Sequence, residues 1–531
     1  MHISRIKQLA RIAWGFGRFI KRPLTLQQAV NAVRLRMDSR EKNFLSVARE
    51  LIYENPFSPY RQLLLWAGCA YGDLEDSVKH TGIERTLQQL RDGGVYVTLE
   101  EFKLQSPIVR RGLTIEPFET DFDNPFLMGK CIEGSTSGSR SRGTRVQYDW
   151  DFFAEEAANE LILYETHGLS GLPSALWMPR LPAMSGIHNF LLHIKFYKPF
   201  DKWFSHLGEG MVPCAVRDRL ALAYIVWLCQ MFGLHVSKPE FAAIRDAGRV
   251  AAWLAETKKN GGGVLKTYTS SAVRVVQAAI DEGFDISGNV IFAGGEPLTG
   301  RRQRFIQSAG VKAFPRYVAT ETGLIAAACG NGSHPDEMHL YLDRLALIQR
   351  ERIPAIGGCA VNSFLFTTLS INTGKILFNT EIGDFGNLTS KPCSCLFGDL
   401  GMNVHISEVR SHDKLTGEGM TLLGSELDDI VGAIIEAAGG CPDDYQFWET
   451  QDEKGVSKLN IAVSPALHTL NERDFKEAIL QKLCDKNPGA TITSQIWKQA
   501  DTLKVVRAYP EMTKGYKMLP IMKNPQACSR E

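Results

Sequence analysis

Gly134-Ser135-Thr136-Ser137-Gly138-Ser139-Arg140-Ser141-Arg142-Gly143-Thr144 crowds small hydroxyl residues, glycines and two arginines into one short stretch. Glycines let backbone N–H groups come close to an anion. Serine and threonine hydroxyls add donors, and guanidinium groups add fixed positive charge. That chemistry suits a triphosphate. No Gly-Lys-Ser/Thr follows, so the stretch is not a Walker loop. Ser/Gly-rich tracts are often linkers, but this one is short and sits between residues 127–132 and a helix expected to begin near Trp150.

Outward from the loop, residues 131 to about 381 alternate strand-like and helix-like runs. Ala175-Leu176-Trp177-Met178 and Val290-Ile291-Phe292-Ala293 read as strands. Residues 271–282 read as a helix, with Ala272, Val275, Val276 and Ala279 on one face. Such alternation predicts an α/β sheet with helices on its faces. Residues 362–384 read as antiparallel strands, with turns at Asn372-Thr373-Gly374 and Ile382-Gly383. Upstream, helices are broken at Asn55-Pro56, Ser58-Pro59 and Gly93-Gly94, followed by a short strand at Tyr96-Val97-Thr98 and a helix from Leu99. After Arg410 the pattern resets, with helices at 426–438 and 472–482 and strands at 445–449, 459–463 and 491–496. The expected organisation has three parts. Residues 1–125 form a helical lead-in packed on the large domain. Residues 126–409 form a core of packed α/β sheets plus a β-rich subdomain, and 410–531 a small mobile α+β domain.

Length and composition agree. A chain of 531 residues with 44% hydrophobic and 22% charged residues is globular and too long for one core. A net charge of +1 gives no reason to expect a nucleic-acid binder. Eleven cysteines, an odd number, with no signal-peptide pattern before them, fit free thiols in a reducing cytoplasm. The longest apolar run, 220–234, contains Gln230 and is shorter than the ~20 residues of a bilayer span; it is expected to be a buried helix. Ile3, Ile6, Leu9, Ile12, Ala13 and Phe16 recur at helical spacing among nine Lys/Arg in the first forty residues, with only Asp38 opposing them. This basic amphipathic helix is expected to pack on its own domain, with weak contact to an anionic membrane as the alternative.

Thr136-Ser137-Gly138-Ser139 resembles the start of the phosphate loop of adenylate-forming enzymes, the superfamily of acyl-CoA synthetases, nonribosomal adenylation domains and luciferases. Arg140 and Ser141 stand where Thr-Gly is usual, and Gly143 where Pro is usual. Further resemblances follow in order: Gly294-Gly295-Glu296-Pro297 to the segment bordering adenine, and Tyr317-Val318-Ala319-Thr320-Glu321 to Tyr-Gly-x-Thr-Glu. Ile382-Gly383-Asp384 is similar to Thr-Gly-Asp, and Arg410-Ser411-His412-Asp413 to the hinge before the small domain. The resemblance implies that Thr136, Ser137, Gly138, Ser139 and Arg140 hold the phosphates of ATP. It implies that Gly295, Glu296, Pro297 and Tyr317 line adenine, that Thr320 contacts the α-phosphate, and that Glu321 binds Mg²⁺. Asp384 would take the ribose hydroxyls, and Arg410 would reach the nucleotide. A lysine late in the chain assists adenylation in this superfamily; Lys517, in Thr513-Lys514-Gly515-Tyr516-Lys517, is the first candidate and Lys514 the second.

Cys393-Ser394-Cys395 offers two thiolates one residue apart, a pair able to grip a zinc ion with Cys329 and either His339 or His334. The pattern resembles the phenylacetate–CoA ligase-like branch, in which His339 best fits the histidine, although Leu396 stands where that branch has glycine. Residues 94–109 also resemble this branch's lead-in segment. The implied activity is conversion of a small carboxylic acid to acyl-AMP with transfer to CoA. An amine or a carrier-protein thiol is the alternative acceptor, and a non-catalytic nucleotide-binding homologue the remaining reading. The acyl pocket is expected between residues 177–193 and 290–293, where Trp177, Phe190 and Phe292 would suit an apolar or aryl acid.

Overall fold

The computed structural model describes residues 13–127, 132–135, 145–212, 216–353, 360–411, 414–468, 470–486, 488–510 and 521–522. Its centre is a twelve-stranded sheet. From one edge the order is Leu345–Arg352, Val361–Thr368, Thr380–Ser390, Val404–Ser411, Met338–Leu340, Gly323–Ala327, Lys312–Ala319, Val290–Gly294, Val264–Tyr268, Ser174–Trp177, Lys202–Ser205 and Pro239–Phe241. Strands from Lys312–Ala319 to the Pro239–Phe241 edge pair in parallel. Those from Lys312–Ala319 to the other edge pair antiparallel. The architecture is therefore α/β with a β-rich part fused to the same sheet.

The parallel half is covered on both faces, which is why its strands read as nearly continuous apolar runs. Ala175, Trp177, Leu265, Ile291 and Ala293 face one core, beneath helices Ala247–Lys258, Thr269–Glu282 and Gly300–Ser308. Leu176, Val264, Val290 and Phe292 alternate onto the other, with helices Trp150–Thr166 and Met184–Lys195. The antiparallel half shares a third core with the N-terminal helices. Asp149 starts the Trp150–Thr166 helix by accepting the Phe152 N–H at 2.8 Å.

A second, four-stranded sheet orders Leu503–Arg507, Ser457–Val463, Tyr445–Gln451 and Ile521–Met522, with helices Gly424–Ala437, Glu472–Cys484 and Pro488–Ala500. Here one expectation fails, because residues 491–496 lie inside the last helix. Thr491, Ile492 and Thr493 mimic a β-branched strand. Burial of Ile492, Ile496, Trp497 and Ala500 at helical spacing overrides that propensity, with Pro488 at the first helical position.

Two further expectations need correction. Tyr96-Val97-Thr98 is not a strand of a sheet; Val97 makes one isolated bridge to Thr380. Helix Val216–Met231 is only half buried. Cys229 is covered, whereas Leu220, Trp227 and Met231 are exposed, because among the described residues the helix is covered on one side only. One neighbour is the helix at 13–20, which buries Phe16, Phe19 and Ile20 and accepts the Tyr224 hydroxyl at the Ala13 carbonyl. Residues 1–12 lie outside the described residues. Among the described residues no helix is long and apolar enough to cross a membrane.

Candidate active site

The antiparallel pair Ile132–Ser135 and Arg145–Tyr148 flanks the phosphate-loop candidate. Thr136, Ser137, Gly138, Ser139 and Arg140 lie outside the described residues, as do His412, Asp413, Lys514 and Lys517. The flanking strand is firmly placed. Arg145 pairs with the buried carboxylate of Asp123 at 2.9 Å and donates its N–H to Glu119 Oε1 at 2.5 Å.

Tyr317, Thr320 and Glu321 sit where the parallel half of the sheet meets the antiparallel half. A register shift at Tyr317/Val318 interrupts the antiparallel ladder there. Asp384 comes from the strand Thr380–Ser390 of the antiparallel half, just after Gly383, whose φ of +94° lets the chain bend before the carboxylate. The Tyr317 hydroxyl donates to Asp384 Oδ2 at 2.5 Å, and the Ser411 hydroxyl donates to Oδ1 at 2.5 Å. Burial, and then the Asp384 charge, push the Tyr317 phenol well above its ordinary range, so it stays a donor. Glu321 also contributes to the field at Tyr317, so both carboxylates lie near this one ring. The Tyr148 hydroxyl donates to the Thr320 carbonyl at 2.6 Å, fixing the turn that carries Glu321. Glu321 is nearly buried and pairs with Lys103 at 2.6 Å.

Gly295, Glu296 and Pro297 lie beyond Val290–Gly294, but Glu296 faces the C-terminal part of the chain. It accepts from Ser270 at 2.7 Å, from Arg302 at 2.7 Å and from the Gly419 N–H. The fully buried Arg302 also donates to the Pro297 carbonyl, the Gly455 carbonyl and the Ser457 hydroxyl. Beside it, Arg274 grips the buried carboxylate of Glu418 through Nε and Nη2, the shorter contact being 2.6 Å. Arg410 is held by Asp336 at 2.9 Å. Trp177, Phe190 and Phe292 are all deeply buried; Phe292 packs against Tyr164 and Phe314.

Cys329, His339, Cys393 and Cys395 converge, all four ligand atoms within 4.8 Å of one another. Cys329 Sγ is 3.7 Å from Cys393 Sγ, and His339 Nε2 lies 3.2 Å from Cys329 Sγ and 3.3 Å from Cys395 Sγ. A disulfide would need about 2.05 Å between sulfurs. A tetrahedral ion with bonds of about 2.3 Å to sulfur sets its ligands about 3.8 Å apart, so the spacing fits a metal. His339 Nδ1 donates to the Met402 carbonyl at 2.7 Å, leaving Nε2 to face the thiols. Hydrogen bonds from Cys329 and His339 pull the Cys395 thiol far below its usual value, toward the thiolate a metal needs. His334 lies elsewhere, paired with Asp336.

Sequence reading assigned no role to Lys103, Tyr148, Tyr268, Arg274, Arg302 or Glu418. Lys103 stood within the lead-in segment, yet nothing local tied it to Glu321, which is distant in the chain.

The described chain superposes on 2-hydroxyisobutyryl-CoA ligase in complex with 2-HIB-AMP and CoA in the thioesterification state. The TM-score is 0.58 at 15% identity, over 93% of this chain and 91% of that one. The fold is that of a CoA ligase. Looser likenesses are to the amide bond synthetase McbA of Marinactinospora thermotolerans (TM-score 0.45, 12% identity, 77% and 70% covered). The o-succinylbenzoate CoA synthetase of Bacillus subtilis, as a double mutant, gives TM-score 0.43 and 12% identity over 73% and 68%. No protein-family model and no curated protein matches the sequence. In this ligase fold, the Tyr317–Asp384–Glu321 group lies at the seam of the large sheet, and Glu296, Arg302 and Arg274 lie where the C-terminal part docks.

Proposed function

We propose that the chain activates a small carboxylic acid with ATP, forming acyl-AMP and pyrophosphate, and then transfers the acyl group to CoA. The observation that carries this reading is the convergence of Tyr317, Thr320, Glu321 and Asp384 at one seam of a CoA-ligase fold. An aromatic ring, a hydroxyl, a hard carboxylate and a second carboxylate are the groups an adenylate needs. Asp384, already accepting two hydroxyl donors, is set to accept two from a ribose. Glu321 holds an ammonium at 2.6 Å, so its carboxylate is shaped for a cation. When bound, Mg²⁺ would neutralise charge developing on the phosphoryl oxygens. Thr136, Ser137, Ser139 and Arg140 would hold the outer phosphates, Gly295 and Pro297 would border adenine, and Lys517 or Lys514 would reach the reacting centre when the C-terminal part rotates. Arg410 would turn from Asp336 to the nucleotide.

The Cys329–His339–Cys393–Cys395 group fits a structural zinc ion, as in the phenylacetate–CoA ligase-like branch. Bound there, zinc would tie the loop after Gly323–Ala327 to the segment at 393–395.

Acid-dependent ATP–pyrophosphate exchange across a broad panel of acids tests the first step. Exchange with at least one acid is expected; none with any acid would leave only a nucleotide-binding homologue. Mass analysis after adding CoA, amines or a carrier protein identifies the acceptor. An amide in place of a CoA thioester would overturn the second step alone.

A further inference from the structure

We propose that Lys103 is a residue of the nucleotide site, holding the cation's place on Glu321 until metal–ATP binds and then turning to the triphosphate. The inference rests on the adenylation reading above. Lys103 Nζ lies 2.6 Å from Glu321 Oε1, with side-chain exposures of 16% and 10%.

The backbone that presents this lysine is pinned to the strand carrying Asp384. Val97 bridges Thr380, the Leu99 N–H points to Glu381 Oε2 at 3.4 Å, and the single helical turn Leu99–Phe102 follows at once. Thr98 and Glu101 cap that turn reciprocally, and Glu101 is fixed by Arg110 at 2.7 Å. Lys103 is therefore delivered to Glu321 by a rigid element.

A divalent ion taken by the same carboxylate at about 2.1 Å would set a second positive charge within a few ångströms of the ammonium, and the repulsion loosens the ammonium's hold on Glu321. Metal binding therefore favours release of the ammonium from Glu321. Its flexible four-carbon stem lets it move without leaving the site. An ionised triphosphate carries more negative charge than one divalent ion neutralises, so the displaced ammonium gains a phosphate partner. A lysine serving only to brace the Glu321 turn would gain none.

Calorimetric titration of the full chain with the magnesium complex of α,β-methylene-ATP, and separately with AMP, distinguishes the two. In Lys103→Met, affinity for the triphosphate analogue is expected to fall at least about tenfold, as for one lost charge-assisted hydrogen bond, with AMP unchanged within about twofold. Lys103→Arg should retain most of the affinity. Lys103→Gln, which keeps a donor for Glu321, should repeat the triphosphate-specific loss even if the Met variant folds poorly. Undiminished analogue binding in both neutral variants, or an equal fall for both nucleotides, would overturn the proposal. A wild-type chain that binds neither nucleotide removes the adenylation reading, and the inference with it.

Discussion

His339 shows how much one side chain owes to its second nitrogen. Because Nδ1–H is bound to the Met402 carbonyl, Nε2 presents its lone pair to Cys329 and Cys395. Ligands so preset bind metal without ordering cost, and metal affinity then becomes folding stability. Cys395→Ser is expected to lower zinc in protein purified without chelators from about one equivalent per chain toward none, with a lower thermal midpoint. Elemental analysis and a melting curve check this; wild-type protein free of zinc would defeat it. The pairing of Cys393 with Cys395 was legible in the sequence. Residue type and spacing left His339 and His334 both open, and the family resemblance favoured His339; the structure sets His339 Nε2 at the thiols and His334 on Asp336.

At the scale of elements, the hairpin Lys414–Gly417 and Met420–Leu423 presents Glu418 and Gly419, both with positive φ, to the large sheet. The Tyr268 ring lies between Gly295 and Gly419, with its hydroxyl hydrogen-bonded to Ser185 at 2.8 Å. A Cβ on Gly419 would stand 2.2 Å from Tyr268 Cγ, and its φ of +73° disfavours any branched side chain. Gly419→Val must therefore withdraw the hairpin. Acyl transfer is expected to slow at least about tenfold, as one misplaced element does, while ATP–pyrophosphate exchange stays within about threefold. Equal losses in both assays would show that the docked hairpin serves both steps. Glu296 belongs to this junction: its local motif was visible in the sequence, but Ser270 and Arg302 reach it from two helices covering the large sheet, and the Gly419 N–H only through docking of the C-terminal part.

Over the whole molecule, buried histidines set the response to acid. Burial, with Arg274 adding repulsion, pushes the His206 pKa from the ordinary 6.5 down to about 3. Burial and then Lys266 push His193 down to about 4, against the pull of Glu160. Both are neutral when folded and take up a proton on unfolding below about pH 6.5. The unfolded chain therefore binds more protons in this range, so stability is full above pH 6.5 and falls as pH drops toward 4. Urea unfolding at pH 7.5, 6 and 5 should give steadily lower midpoints, and His206→Gln should flatten the trend. Midpoints that do not change over this range would contradict it.

What the sequence determined by itself was the α/β class, the order of the motifs and the chemistry each offers. Those properties are written in periodicity, turn residues and side-chain type. It misjudged residues 491–496 because β-branched propensity is local, whereas burial of Ile492, Ile496 and Trp497 is not. Only the tertiary structure decided which charges meet. Lys103 reaches Glu321, Arg274 reaches Glu418, and Arg302 links Glu296 to Gly455. Each pair is far apart in the chain or on separate elements, and no local spacing encodes a contact that exists only after two surfaces have packed.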